Sequence, residues 1–237
     1  LHREVDYKSE RQFTEAFAER LADDPRFVVP RTFLYPGPDL RFPHRAALSM
    51  GSRITVVGEA ETRGTRYLLL ADGGALVAHH LRPVSDPPAP DYVSVAGLFL
   101  ETPYLWGGKS GFGIDCSGLV QLAMRMAGHG AARDSDMQAL GLGAPLDRHE
   151  LRRGDLVFWK GHVAVMEDGQ MMIHANGHTM TVARETLADA IERIGQRRHH
   201  ARVGQNVRRA AGHCHNAGAR AARGADGGAV RAGAERQ

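Results

Sequence analysis

Nine consecutive residues, Leu119 to Ala127, hold only two polar side chains, Gln121 and Arg125, and those two stand four apart. On a helix of about 3.6 residues per turn the pair makes one narrow stripe, so every other face must be covered by protein. A helix enclosed in this way needs a layer to lie against. Downstream, "DLVFWKGHVAVMEDGQMMIHANG" (Asp155 to Gly177) reads as three successive strands. "DYVSVAGLFLETP" predicts a short helix before the enclosed one, and "RETLADAIERI" an amphipathic helix after the strands. Residues 92–195 are thus read as a second unit of helices and strands.

Ahead of this unit, short apolar runs at Ile54–Val57, Tyr67–Leu70 and Ala75–Val77 alternate with turn signals at Gly58, Gly64 and Asp72-Gly73-Gly74. Residues 28–84 have the pattern of a small β-barrel of the bacterial SH3-like kind, or of a β-rich extension of one larger domain. Between the two units "SDPPAPD", residues 85–91, puts three prolines in seven residues, which favours an extended linker and marks the domain boundary. Residues 1–27 are read as an N-terminal extension.

The pI of about 9.1 invites a nucleic-acid partner, but the charge is unevenly placed. Residues 196–237 carry nine Arg against one Asp and one Glu, a net of +7, whereas the whole chain is +3, which leaves the body at −4. A mildly acidic body argues against nucleic-acid binding. Eleven Ala, nine Arg and seven Gly make up 27 of those 42 C-terminal residues, so the tail is expected to be disordered and dispensable for activity. No apolar run approaches the roughly 18 residues of a membrane span, and the charged opening "LHREVDYKSERQF" lacks a leader's apolar core. The expectation is a cytoplasmic monomer with no membrane contact.

The chain has two cysteines, too few for a disulfide framework. Cys116 stands in "GGKSGFGIDCSGLVQLAMRMAG", directly before the enclosed helix. Asp115 is a plausible N-cap, which would set Cys116 in the first turn, where free N–H groups and the helix dipole favour a thiolate. A thiolate nucleophile needs a base, and the base needs an orienting group. His162 in "WKGHVAVM" and His174 in "MMIHANG" supply both, as base and as holder of its tautomer, if they share one face of a hairpin. A two-residue turn at Asp168-Gly169 would put them on opposite faces, so an odd-length loop or a bulge is expected; a three-residue Glu167–Gly169 loop would pair the two histidines directly. "HCH" (His213 to His215) has the look of metal ligands but lies in the Ala/Arg/Gly tract with no second pair, so neither metal nor other cofactor is expected.

"TPYLWGGKSGFGIDCSGLVQLAMRMAG", "RDSDMQ", "LRRGDLVFWKGHVAVM" and "MIHANG", in this order, resemble the NlpC/P60 family of cysteine peptidases over residues 92 to about 194. The resemblance implies the fold class α+β, a papain-like core, often preceded by an SH3-like domain, that cleaves bacterial cell-wall peptides. It implies Cys116 as nucleophile, His162 as base, His174 as the third polar residue and Tyr104 beside the oxyanion. Asp115, Ser117 and Ser135 match positions that hold the free amino end of the substrate, although Asp115 could equally be a plain helix cap and Ser135 an ordinary loop serine. The form with an SH3-like domain resembles γ-D-glutamyl-L-diamino-acid endopeptidases that recycle murein peptides bearing a free N-terminal L-Ala. Two alternatives stay open: a catalytically silent wall-binding protein, and an acyltransferase on the same fold.

Overall fold

The computed structural model describes residues 26–146, 151–196 and 206–209. Residues 26–82 are β throughout apart from one 3-10 turn. Strands β1 (Arg26–Phe27), β2 (Arg31–Leu34), β3 (Ala46–Ser49), β4 (Gly58–Thr62), β5 (Thr65–Leu69), β6 (Ala75–Val77) and β7 (Leu81–Arg82) form three small antiparallel sheets, β2-β3, β4-β5-β6 and β1-β7. A bridge from Tyr35 to Ala75 joins the first two. Leu76 and Leu81 are buried at the centre, with Leu34, Ile54 and Leu68 against them. Two of the three apolar runs read from the sequence thus fall in β5 and β6. The run Ile54–Val57 lies outside the ladders; Val57 reaches β5, its N–H donating to Leu69 O over 2.8 Å.

The linker does not hang free. The N–H of Ala89 donates to the carbonyl of Met126 at 2.9 Å, which lays the proline stretch along the end of the enclosed helix. Asp91 then caps α1 (Tyr92–Gly97) by accepting from the Ser94 N–H. A two-strand hairpin, β8 (Lys109–Ser110) with β9 (Gly113–Ile114), leads into α2 (Cys116–Met126). Gly111, at the hairpin's turn, touches the N-terminal unit: a Cβ there would lie 2.1 Å from Pro30 O, and its N–H donates to Ser49 Oγ at 2.8 Å. Helix α3 (Ser135–Gly141) and strand β10 (Ala144–Leu146) follow.

Strands β11 (Asp155–Trp159), β12 (His162–Met166), β13 (Met171–Asn176) and β14 (Thr181–Thr186), with β10 and β15 (Asn206–Arg209), make a six-stranded antiparallel sheet in the order β10-β15-β11-β12-β13-β14. Alternate side chains feed two different cores. Leu156, Phe158, Val163, Val165 and Ile173 pack with α1 and α2. Val157, Ala164, Met166 and Met172 pack with Leu187 and Ala190 of α4 (Leu187–Gln196). Because helices cover both faces, β11 to β13 read as almost unbroken apolar runs rather than as alternating ones.

Three features depart from the sequence reading. Arg184, Glu185 and Thr186 belong to β14, not to the closing helix, which starts at Leu187. Its first turn is fastened by Thr186, whose Oγ1 accepts from the Asp189 N–H at 3.1 Å and donates to the Asp189 carboxylate at 2.7 Å. Helix α3 falls in a stretch that the pattern left unassigned. The expectation of disorder from residue 196 on fails at Asn206–Arg209, which pairs on one side with β10 and on the other with β11. A strand needs little apolar content when the neighbouring strands supply its hydrogen bonds and its covering layers. The remainder of the tail, with His213 to His215, and most of the N-terminal extension lie outside the described residues.

Candidate active site

Asp115 is the N-cap of α2, with its side chain accepting from the Gly118 N–H at 2.7 Å, and Cys116 is the first helical residue. Gly118 is required by close approach: a Cβ there would meet Gly108 O at 2.4 Å. The helix start is thereby pressed onto the Gly107–Gly108 backbone, and Asp115 locks it there by accepting from the Gly107 N–H and donating its own N–H to Gly108 O. Cys116 is 7% exposed and packs in the same core as Val163, whose backbone N–H favours its thiolate.

Burial pushes the Cys116 thiol above its ordinary value, and the Asp115 charge adds to the rise. The N–H groups of Val163, Ser117 and Cys116 itself work in the other direction and do not outweigh it. A resting thiolate, expected from the helix start alone, is therefore not what this environment favours. Tyr104 stands in the same neighbourhood: burial and then the charges of Cys116 and Asp115 raise its phenol.

His162 and His174 lie on one face of the β12–β13 pair. The ladder runs Val165↔Ile173 and Met166↔Met172 and continues with the Glu167 N–H on Met171 O, leaving a three-residue loop, Asp168 to Gln170. The loop length is odd, as expected, but it begins one residue later. In that register His174 stands opposite Ala164, and His162 is its diagonal neighbour. His162 Nε2 and His174 Nδ1 are 2.9 Å apart. His174 is 1% exposed, while its partner is half-buried. Burial, then the charges of Arg193 and His178, push His174 down to about 4, so the ring is neutral across the physiological range.

Beside the thiol opens a cleft of 450 Å³ bordered by Trp106, Asp115, Ser117, Arg133, Asp134, Ser135, Asp136 and Gly161. Asp115, Ser117 and Ser135 are thus brought together with Cys116, as the sequence predicts. Asp115, however, is not available to an ammonium group. Its two oxygens receive the N–H groups of Gly107 and Gly118, the Ser117 hydroxyl, and both terminal nitrogens of Arg133, at 3.0 and 2.6 Å. Five donors saturate the roughly four lone-pair directions of a carboxylate, and the guanidinium neutralises it. Arg133 also donates to Ser117 Oγ at 3.0 Å. The sequence reading missed Arg133; nothing in local spacing shows that it closes onto a residue 18 positions back. Asp134 and Asp136 were missed as well. Asp134 makes no capping hydrogen bond to α3 and is exposed to the cleft. The remaining fully buried polar side chain near the site is Gln138, which donates to Ser117 O and Ala132 O and so ties α2 to the loop carrying Arg133. Glu59, a carboxylate of the N-terminal unit, is paired with Arg66 at 2.7 Å and does not border the cleft.

A lone thiol at a helix start, next to a sheet that carries two hydrogen-bonded histidines, defines the class of cysteine–histidine sites built across a helix–sheet junction. The chain belongs to the NlpC/P60 family, whose model matches residues 101–198. It is 32% identical over 128 residues to the probable endopeptidase NlpC of Escherichia coli (strain K12), a match covering 47% of this chain and 83% of that protein. It is 31% identical over 181 residues to the gamma-D-glutamyl-L-lysine dipeptidyl-peptidase of Bacillus cereus (strain ATCC 10987 / NRS 248), covering 69% of this chain and 53% of the relative. The crystal structure of an NlpC/P60 family protein from Bacillus cereus ATCC 10987 superposes with a TM-score of 0.58 at 27% identity, covering 74% of this chain and 62% of that one. The chain spans 37% to 53% of the length of the gamma-D-glutamyl-L-lysine dipeptidyl-peptidases that it matches.

Proposed function

We propose that the chain is a cysteine peptidase acting on bacterial cell-wall peptides, cutting between γ-D-glutamate and the diamino acid that follows, in the recycling of released wall fragments. The observation that carries this reading is the 2.9 Å His162–His174 hydrogen bond on a strand pair whose Val163 packs in one core with Cys116. The names of the similar dipeptidyl-peptidases support the bond chosen. The N-terminal sheets, with their separate small core, support an SH3-like barrel in the same proposal.

The chemistry follows from the protonation states. At rest the buried thiol is protonated, so His162 acts as a general base during attack rather than as one half of a preformed ion pair. Sγ bonds to the γ-carbonyl carbon as its proton passes to His162. The oxygen takes up the charge, facing the Tyr104 hydroxyl and the N–H groups of the α2 start. Collapse breaks the C–N bond, and His162 returns the proton to the departing amine. Water, deprotonated by His162, then cleaves the thioester and releases the glutamyl product and the thiol.

Recognition of a free substrate amine passes from Asp115 to Asp134, the carboxylate at the cleft that caps nothing, with Ser117 and Ser135 alongside. The deciding experiment is a product assay on L-Ala-γ-D-Glu-diaminopimelate with wild-type and Cys116→Ala protein. Release of free diaminopimelate by the wild type alone supports the reading. Stoichiometric binding without release would instead make this a wall-binding protein, and products joined to an added amine would make it an acyltransferase.

A further inference from the structure

We propose that Glu185 is a positioning residue: its carboxylate, braced by Arg193, sets which nitrogen of His174 carries the proton, and through the His174–His162 hydrogen bond keeps the hydrogen of His162 on Nε2, so that Nδ1 can act as the base. The proposal rests on reading His162 as the base.

Both nitrogens of the buried His174 ring need partners. Nδ1 faces His162 Nε2 at 2.9 Å. Nε2 hydrogen-bonds the Asn176 amide nitrogen at 3.2 Å and lies 3.0 Å from Glu185 Oε2. A neutral imidazole offers one donor and one acceptor, and these two groups ask for opposite things. A carboxylate only accepts and requires a hydrogen on Nε2; an amide nitrogen only donates and requires a bare Nε2. Asn176 cannot turn around, because its Oδ1 accepts from the N–H groups of His178 and Thr179, both at 2.9 Å.

The charged acceptor is the stronger partner and the closer one. It is also held in place: Arg193 donates from Nε to Oε1 at 2.9 Å and from a terminal nitrogen to Oε2 at 2.5 Å, with both side chains 18% exposed. The groups facing the His174 ring are thus His162 from β12, Asn176 from its own strand, Glu185 from β14 and Arg193 from α4, with His178 beyond the strand end.

The two outcomes differ at the reacting atom. With the proton on Nε2 of His174, its Nδ1 accepts from His162 Nε2–H, and Nδ1 of His162 is bare and able to take the thiol's hydrogen. If the Asn176 amide wins, the proton sits on Nδ1 of His174 and is donated to His162 Nε2. The hydrogen of His162 then occupies Nδ1, and that nitrogen cannot accept a proton from sulfur. Glu185 chooses between a competent and an incompetent neutral pair.

The test uses histidine-15N-labelled protein without substrate, in which two- and three-bond couplings read the tautomer of each ring. In the wild type we expect hydrogen on Nε2 of His174 and a bare Nδ1 on His162. In Glu185→Gln, Arg193 holds the amide oxygen and turns its NH2 toward the ring, so the His174 proton moves to Nδ1 and kcat on the wall tripeptide falls about 100-fold with KM within about twofold. Glu185→Asp, which keeps the charge, retains the wild-type tautomer and recovers part of kcat. Wild-type protein with hydrogen on Nδ1 of His174 would overturn the proposal, as would a Glu185→Gln protein whose tautomer and kcat stay as they were. Should the wild type cleave no wall peptide while the tautomer still moves in Glu185→Gln, the positioning role stands and the peptidase reading fails.

Discussion

Cys116 is a poor nucleophile until its proton leaves, and burial, with the Asp115 charge, opposes that departure more than the nearby N–H groups favour it. Alkylation of the resting protein by iodoacetamide should therefore climb with pH and show no plateau below the ordinary thiol range. A plateau near pH 6 would reveal a resting thiolate–imidazolium pair and require a different first step. His174 gives a second residue-level prediction. Its folded value of about 4 lies below the 6.5 of an exposed histidine. The unfolded chain takes up this proton first as the pH falls, so stability from the neutral ring is intact above about 6.5 and is lost between there and about 4. The span corresponds to about 3 kcal/mol. Chemical unfolding of wild type and His174→Asn between pH 7 and 4 should show the wild type losing that much more stability than the variant; parallel slopes would refute it. The placing of Cys116 at a helix start, and of His162 and His174 on one face of a strand pair, was legible in the sequence because each stands in a frame of glycines or strand residues. The contacts of Arg133, Glu185 and Arg193 were not, since they are ion pairs formed across the fold.

The same division runs through the elements. β11, β12 and β13 were readable because double-sided burial leaves a run of apolar letters. β14 was not: its sequence, Thr-Val-Ala-Arg-Glu-Thr, buries only Val182, and its last half was absorbed into the helix pattern behind it. The Thr186-x-x-Asp189 capping signature marks the true boundary. β15 shows Asn-Val-Arg-Arg, and no local rule makes a strand of it without its two neighbours. Those neighbours make it important. A chain ending at Gln205 should melt on the order of 5 °C or more below one ending at Arg209, because ladder hydrogen bonds contribute about 1 kcal/mol each. Equal melting temperatures would mean that the sheet does without it. At the other end of the site, Gly118→Ala forces a methyl group onto the Gly108 carbonyl, which has no side chain to yield. We expect a loss of about 2 kcal/mol in urea unfolding, together with reduced turnover as the thiol is displaced.

For the molecule as a whole, the cleft is bordered, among the described residues, only by Trp106 to Gly161. The proposed preference for a free substrate amine is therefore assigned to the peptidase unit and not to a wall built by residues 26–82. Acetylating the L-Ala amine should cut kcat/KM at least tenfold, since an unpaired carboxylate costs on the order of 1–3 kcal/mol. Gly111→Val, which pries the units apart at Pro30, should leave that ratio unchanged. Equal rates on free and capped peptide would assign the cleft to intact wall polymer instead. The placement of β15 between β10 and β11 has a consequence of another kind, in time rather than in space. While a ribosome makes the chain, β10 and β11 emerge with no partner to join them, and each presents a raw strand edge until Arg209 has cleared the exit tunnel. The nascent chain must hold an unfinished sheet through roughly the last fifty residues leading to that point. Such open edges are prone to mispairing, so expression at high synthesis rates or without chaperones should send this protein into aggregates well before its melting temperature gives any warning.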